Sequence, residues 1–488
     1  MKPFAITLSL LSLSLLSFGA KITDYYKLEN ISLPTGLAKP NSAATQVDGL
    51  DFFPDGRMAV CFVDGQVYTL EPETEEWKLF AEGLHTPLGI VVLNDYEMVV
   101  CQRPEVTKLK DTDKDGVADE FEVLSDGFGI SGNYHEFNFG PVRDKEGNFY
   151  FALGTASSGA GVRYETRGGF NKLSYMDRMY SCVPYRGWVL KITPDGKTIP
   201  WASGLRTPNG LGFDLKGNLF VTDNQGDWVG TSKMHHIEQG KFYGHAASLL
   251  WEKDWEGRPL NRKVTELDAL RTPAAILFPH GLMANSPSQP LVDSTKGKFG
   301  PFAGQLLVGE MNKGRIMRVA LEEVEGTQQG MCIPFFDGAG LQRGNNRLKF
   351  GPLNALWVGH SSHGWAGDKG LQKITWSGKA PPELKAINIR PNGFQLSFTF
   401  DVSKELAMNP DSYQIKSYHY SYSGSYGSPQ RDVKTHEVKS TKIETTNSVF
   451  VELGDLTAGK VYEFRLDSKY GLLNNLAFYT AVKVPGDS

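Results

Sequence analysis

The hydrophobic and polar positions of this chain repeat. A short apolar strand, a Gly, Pro, Asp or Asn turn, and a second apolar strand ending on polar residues read LDFFPDGRMAVCFVDGQVYTL at 50–70 and GIVVLNDYEMVVCQRPEVTKL at 89–109. The unit returns as HEFNFGPVRDKEGNFYFALG at 135–154, NGLGFDLKGNLFVTDNQGDW at 209–228, FGPFAGQLLVGEMNKGRIMRV at 299–319 and NRLKFGPLNALWVGH at 346–360. Strand-turn-strand units repeated at this spacing predict a radial all-β fold, a six-bladed β-propeller. One isolated strand, around YYKLENISLP at 25–34, precedes the first unit. It is expected to pair with the last blade around 346–376, because a ring of sheets must hide its final edge.

The pattern is interrupted twice, by insertions at 157–188 and 229–278. Insertions of that length in a compact repeat are usually binding loops or lids. Near Lys379-Ala380-Pro381-Pro382 the repeat stops. INIRPNGFQLSFTF alternates as a strand, and Leu456, Gly459 and Tyr462 match the L-x-x-G-x-x-Y corner of fibronectin-III/Ig-like sandwiches. The predicted organisation is a signal peptide at 1–20, a propeller at 21–380 and a C-terminal β-sandwich at 381–488. A tyrosine-rich stretch, YHYSYSGSYGSPQRD at 418–432, predicts a patch that faces either the propeller or a sugar.

The N-terminus has Lys2, an apolar run from Phe4 to Phe18 and small residues after it, the layout of a cleaved export signal. The run is short for a membrane span. The chain is therefore expected to be periplasmic or secreted. Four cysteines, Cys61, Cys101, Cys182 and Cys332, could pair in that compartment. Cys61 and Cys101 hold equivalent places in neighbouring units. Packed sheets lie roughly 10 Å apart and a disulfide needs Cα atoms within about 7 Å, so buried thiols are expected there. A formal charge of −4 argues against a nucleic-acid partner.

The sharpest chemical motif is Asp111-x-Asp113-x-Asp115-Gly116-Val117-x-Asp119-x-x-Glu122, the D-x-D-x-D-G-x5-E spacing of a calcium loop. Alternate carboxylates converge on a hard cation, and the Val117 carbonyl adds an oxygen. The predicted ligands are Asp111, Asp113, Asp115, Val117, Asp119 and Glu122, held between strands rather than helices.

Other polar residues flank the repeated strands. His135, Arg206, Asn209, His280 and Arg347 precede first strands. Asp223, Asn224, Lys313 and His363 follow second strands. In a meander both sets reach one rim, so they converge on an axial pocket. His135, as a neutral imidazole, is the candidate base. Asp223, Asp227 and Glu310 leave a carboxylate-pair hydrolase open.

Residues 45–378 resemble the soluble quinoprotein (PQQ-dependent) glucose/sorbosone dehydrogenases. The resemblance is carried by H-E-F-N-F-G-P at 135–141 and G-L-R-T-P-N-G-L-G-F at 204–213. The calcium loop, Thr222 to Trp228 and Pro279-His280-Gly281 are similar to the secreted dehydrogenase-like propellers of Planctomycetes, Verrucomicrobia and Bacteroidetes. The pattern departs after Gly154, where Thr155-Ala156-Ser157-Ser158 replaces the family's Gly-Asp, and at Thr207 and Asn209. The resemblance implies a pyrroloquinoline quinone on the axis and hydride transfer from a sugar or polyol. His135 would take the hydroxyl proton and Arg206 would stabilise the reduced cofactor. Asn209, Asp223, Asn224, His280, Lys313, Arg347 and His363 are the candidate cofactor-binding residues, with Lys313 the candidate quinone-binding lysine. A small-molecule or oligosaccharide substrate and a periplasmic electron acceptor are the implied partners. Two further readings keep the pocket: a quinone-independent carbohydrate lyase or hydrolase with His135, His280 or His363 as base, and a non-catalytic glycan- or protein-binding propeller.

Overall fold

A computed structural model describes residues 20–35, 37, 45–163, 166–175, 178–362 and 367–486. The proposed leader, Ala20 excepted, and His363 lie outside them. The repeated units fold as antiparallel four-strand meanders. The first runs Val47–Phe52, Met58–Phe62, Val67–Glu71, Glu76–Ala81, and the second Ile90–Asn94, Glu97–Cys101, Val106–Lys110, Glu120–Ser125. The third is Asn138–Arg143, Phe149–Leu153, Trp188–Ile192, Thr198–Ser203, and the fourth Gly210–Phe213, Leu219–Asp223, Ser232–Ile237, Ile276–Phe278. The fifth begins Pro287–Val292, Leu306–Glu310, Arg315–Val324, Thr327–Asp337. The sixth takes Asn345–Phe350, Leu356–His360 and Gly370–Trp376 from the repeat and Tyr26–Ile31 from the N-terminus. That last pairing, Tyr26 opposite Trp376 and Ile31 opposite Leu371, covers the outer edge of the sixth sheet as the isolated N-terminal strand predicts.

The first strand of each sheet touches the first strand of the next, and the sixth touches the first, so the inner strands close a ring. Side chains alternate across each strand, and those facing a neighbouring sheet form the core. Val99, Phe151 and Leu190 fill one such space, between the second and third sheets. All four cysteines are buried free thiols.

At the ring's centre one position decides the packing. It is Gly49, Gly89, Gly140 and Gly210 in the first four sheets, Gln289 in the fifth and Arg347 in the sixth. A Cβ on Gly89 would lie 2.0 Å from the Gly140 carbonyl oxygen, and one on Gly210 2.3 Å from Gln289 Cα. The glycines leave room for one long side chain, and Arg347 occupies it. Its Nη2 donates to the Leu88 carbonyl at 2.7 Å and its Nη1 to the Asn209 carbonyl at 2.9 Å. One guanidinium thereby ties the sixth sheet to the approaches of the second and fourth.

Beyond residue 380, two sheets enclose a core that includes Phe394, Leu396, Val451, Tyr462 and Tyr479. One sheet is Leu384–Arg390, Gly393–Phe398, Ser448–Glu452, Ser440–Thr445. The other, Leu476–Ala481, Lys460–Leu466, Tyr413–His419 and Arg431–His436, continues the fifth sheet, because Gly330–Cys332 pair with Phe478–Thr480. The Tyr462 hydroxyl accepts from Thr457 N at 2.8 Å, the tie that the L-x-x-G-x-x-Y pattern predicts. Among the described residues no helix is long and apolar enough to cross a membrane.

Candidate functional site

A cavity of about 270 Å³ opens at the end of the ring from which the first strands start. His135, Arg206, Asn209, Asn224 and His280 line it, so five of the residues expected at an axial pocket do meet. Phe137, Phe139 and Met311 supply apolar wall, and Gln225, Asn312 and Ser286 add polar groups.

His135 is held by one strong contact. Its Nδ1 lies 2.9 Å from the Thr155 carbonyl oxygen. A carbonyl only accepts, so Nδ1 carries the proton and Nε2 is left as the basic lone pair. Burial, then the nearby Arg206 charge, lowers the imidazole pKa to about 4. The ring is therefore neutral at pH 7, the state a general base requires. Thr155 also reaches the second candidate: its N–H and its hydroxyl both donate to the Arg206 carbonyl at 2.9 Å. The residue at which the chain departs from the dehydrogenase pattern is thus the joint between His135 and Arg206.

Arg206 is buried, and its guanidinium carbon lies 5.6 Å from the Tyr426 ring centroid. Gly226 makes this course possible, since a Cβ there would lie 2.0 Å from Arg206 Cδ. Burial depresses the Arg206 pKa, with Tyr426, Asp227 and Asp223 opposing the shift. Arg206 Nε, Asn209 Oδ1, Asn224 Oδ1 and Asn312 Oδ1 are buried without a hydrogen-bond partner among the described residues. Buried polar groups normally find one, and all four belong to residues lining the cavity.

The other expected residues have different places. Asp223 lies beneath the wall: it accepts from Arg206 N at 3.1 Å and Thr207 N at 2.7 Å and pairs with Lys233 Nζ at 3.2 Å. Glu310 does the same in the fifth sheet, accepting from Asn285 N at 3.0 Å and Ser286 N at 2.9 Å. Gln102 accepts from His85 N at 2.7 Å in the second. The polar residue at the end of a second strand staples the loop entering its own sheet. In the third sheet that position is Leu153, and Asn133 and His135 hold the loop instead. No carboxylate lines the cavity among the described residues, which leaves the carboxylate-pair reading without its pair.

Lys313 is not a cavity wall residue; its Nζ donates to the Gly281 carbonyl at 2.7 Å, beside His280. Arg347 sits below the cavity as the central plug, satisfied by backbone carbonyls, rather than beside a ligand. His360, which ends the equivalent strand of the sixth sheet, is fully buried.

In the calcium-type loop, Asp111, Asp113 and Asp115 bring carboxylate oxygens within 4.8 Å of one another. Two of the remaining expected ligands, Asp119 and Glu122, are engaged elsewhere. Asp119 Oδ1 accepts from the Thr112 hydroxyl at 2.8 Å. Glu122, on the strand opposite Lys108, faces Lys110 Nζ at 2.9 Å, because strand pairing rather than a helix sets its direction. The Val117 N–H donates to Asp115 Oδ1 at 2.8 Å, which ties the turn to the Asp cluster without using the Val117 carbonyl.

One wall was not legible from spacing. Tyr426 comes from the C-terminal part, where Tyr422–Tyr426 pairs with Asp227–Val229, at the junction of the fourth unit and its insertion. Its ring also meets Arg178 of the other insertion, at 3.8 Å from the guanidinium carbon. The tyrosine-rich stretch was the available signal.

A family model described as a domain of unknown function (DUF7133) matches residues 71–267, less than half of the chain. No curated protein matches. Among solved structures, the chain is similar to a Thermus thermophilus protein whose assignment as an oxidoreductase (glucose dehydrogenase) is itself provisional, at 19% identity and TM-score 0.49, over 72% of this chain and 99% of that one. It is similar to the PQQ-bound aldose sugar dehydrogenase of Streptomyces coelicolor at 16% identity and TM-score 0.46, over 72% and 98%. A gluconolactonase of Xanthomonas campestris shows 14% identity and TM-score 0.39, over 68% and 86%. At these values the likenesses carry no argument about chemistry, which rests on the site.

Proposed function

We propose that this chain is an exported six-bladed propeller with a C-terminal sandwich that oxidises a carbohydrate hydroxyl in the axial cavity. The observation that carries the reading is the His135–Thr155 contact, which leaves Nε2 as a neutral base on a cavity wall. His135 takes the hydroxyl proton. Arg206 holds negative charge as it develops, and its burial in the wall strengthens the interaction. The partnerless amide oxygens of Asn209, Asn224 and Asn312 accept from sugar hydroxyls and orient the ring. Pyrroloquinoline quinone, when bound, supplies the hydride acceptor. The unsatisfied Arg206 Nε on the cavity wall fits an anionic carbonyl-bearing group, and Arg206 would hold it. The Asp111, Asp113 and Asp115 carboxylates suit a structural calcium ion that orders the outer hairpin of the second sheet. A periplasmic acceptor would reoxidise the cofactor.

The test is to add the quinone and calcium to purified protein and follow dye reduction over a panel of aldoses and polyols. Quinone binding with sugar-dependent turnover that His135→Ala abolishes supports the reading. No quinone binding and no turnover overturns it.

A further inference from the structure

The axial cavity does not end at its own mouth. An open groove of about 390 Å³ adjoins it, and Gln225, His280 and Tyr426 line both. The far side of the groove is built by the C-terminal segment, through Tyr420, Ser428 and Gln430. That segment is pinned to the propeller. Gly427 N donates to the Gly226 carbonyl at 3.0 Å, Ser428 N to Gly230 at 2.9 Å, and the Tyr422 hydroxyl to Gly244 at 2.6 Å. Small-molecule sites usually span roughly 300–1,000 Å³. Together the inner cavity and the groove fall inside that range.

Resting on the oxidation reading above, we propose that the groove is a second sugar subsite, so that the ligand is an oligosaccharide of two or more units. The reactive unit lies against His135, and the next lies between the propeller rim and the C-terminal segment. The groove's chemistry matches such a ligand. Tyr426 and Tyr420 offer aromatic surface to the apolar face of a pyranose. Gln225 and Gln430 offer both donors and acceptors to hydroxyls. His280, with its pKa lowered by burial and by Lys313, is neutral at pH 7, and no carboxylate lines the groove among the described residues. Tyr426 is 44% exposed although Arg178 packs on it, so ring surface remains available to a ligand.

Calorimetry on the full chain with mono- to tetrasaccharides of glucose, galactose, mannose and xylose tests this. At least one series should bind about tenfold tighter as the tetrasaccharide than as its monosaccharide. Gln430→Ala and Tyr426→Ala should each cut that ratio threefold or more, with melting curves confirming that both variants fold. Equal affinity for all lengths, or a length preference that survives both substitutions, overturns the subsite. Dye-reduction assays separate the two proposals: turnover without length preference leaves the oxidation reading standing alone, and length-dependent binding without turnover leaves the subsite standing alone. Binding of no sugar at all overturns both.

Discussion

Nδ1 of His135 faces the carbonyl oxygen of Thr155 at 2.9 Å, and that single contact fixes which nitrogen of the ring can act. His135→Ala should lower kcat/KM by roughly 10²–10⁴-fold, the usual contribution of a general base. In the wild type, kcat/KM should stay level from pH 7 down to about 5 and fall through the imidazole pKa of about 4. A break near 6.5 would mean that the acting group is not this histidine.

Asp223 is a staple rather than a ligand residue. Asp223→Ala removes the acceptor for two backbone N–H groups and leaves Lys233 buried without its partner. Breaking a buried pair in this way costs roughly 3–5 kcal/mol. Denaturant unfolding should show that loss, and Asp223→Ala combined with Lys233→Met should recover part of it.

Calcium should raise the melting temperature, and chelation should reverse the rise. Asp113→Asn with Asp115→Asn should abolish the calcium response while leaving sugar affinity intact, since the loop lies on the outer hairpin of the second sheet. An unchanged melting temperature with calcium would remove the ion from the account.

Stability should fall on acidification from pH 7.5 to 5, because several buried histidines are neutral in the folded chain. Burial lowers His135, His245 and His360 to about 4 and His235 to about 3. The unfolded chain titrates these groups near 6.5, so between about 6.5 and 4 it binds more protons than the folded chain. The contribution is complete above 6.5 and is lost as pH falls toward 4. Glu383, raised to about 7 by burial, works in the opposite sense above its unfolded pKa, as does Glu310, whose pKa burial also raises. Glu252 is raised by burial in the same way, and the four histidines against these three glutamates should leave the urea midpoint lower at pH 5 than at 7.5.

Gly89→Ala should prevent folding, because its Cβ would meet the Gly140 carbonyl where two inner strands are locked in the ring. Gly127→Ala, with nothing within 4 Å, should leave soluble yield and melting temperature within error of wild type.

The inner and middle strands were legible because alternation and turn residues recur in each unit. The convergence of His135, Arg206, Asn209, Asn224 and His280 followed from the same register. The sequence could not separate a polar residue that meets a ligand from one that meets a backbone N–H. Asp223 and Glu310 are of the right type for both, and only the hydrogen bonds distinguish them. Arg347 carried a usable signal: its counterparts in four units are glycines, which marks a crowded centre rather than a wall. Tyr426 carried none in its spacing, since strand pairing between distant segments brings it to the cavity. Glu122 was misplaced because a loop motif borrowed from helices says nothing of where a β-strand directs its side chain.

Arg347 has a consequence for traffic. With its guanidinium bonded across the centre of the ring, the axial channel is a cup and not a tunnel. Whatever enters past Tyr426 cannot leave through the centre of the ring. On the oxidation reading proposed above, product and incoming substrate would share the rim end of the cavity.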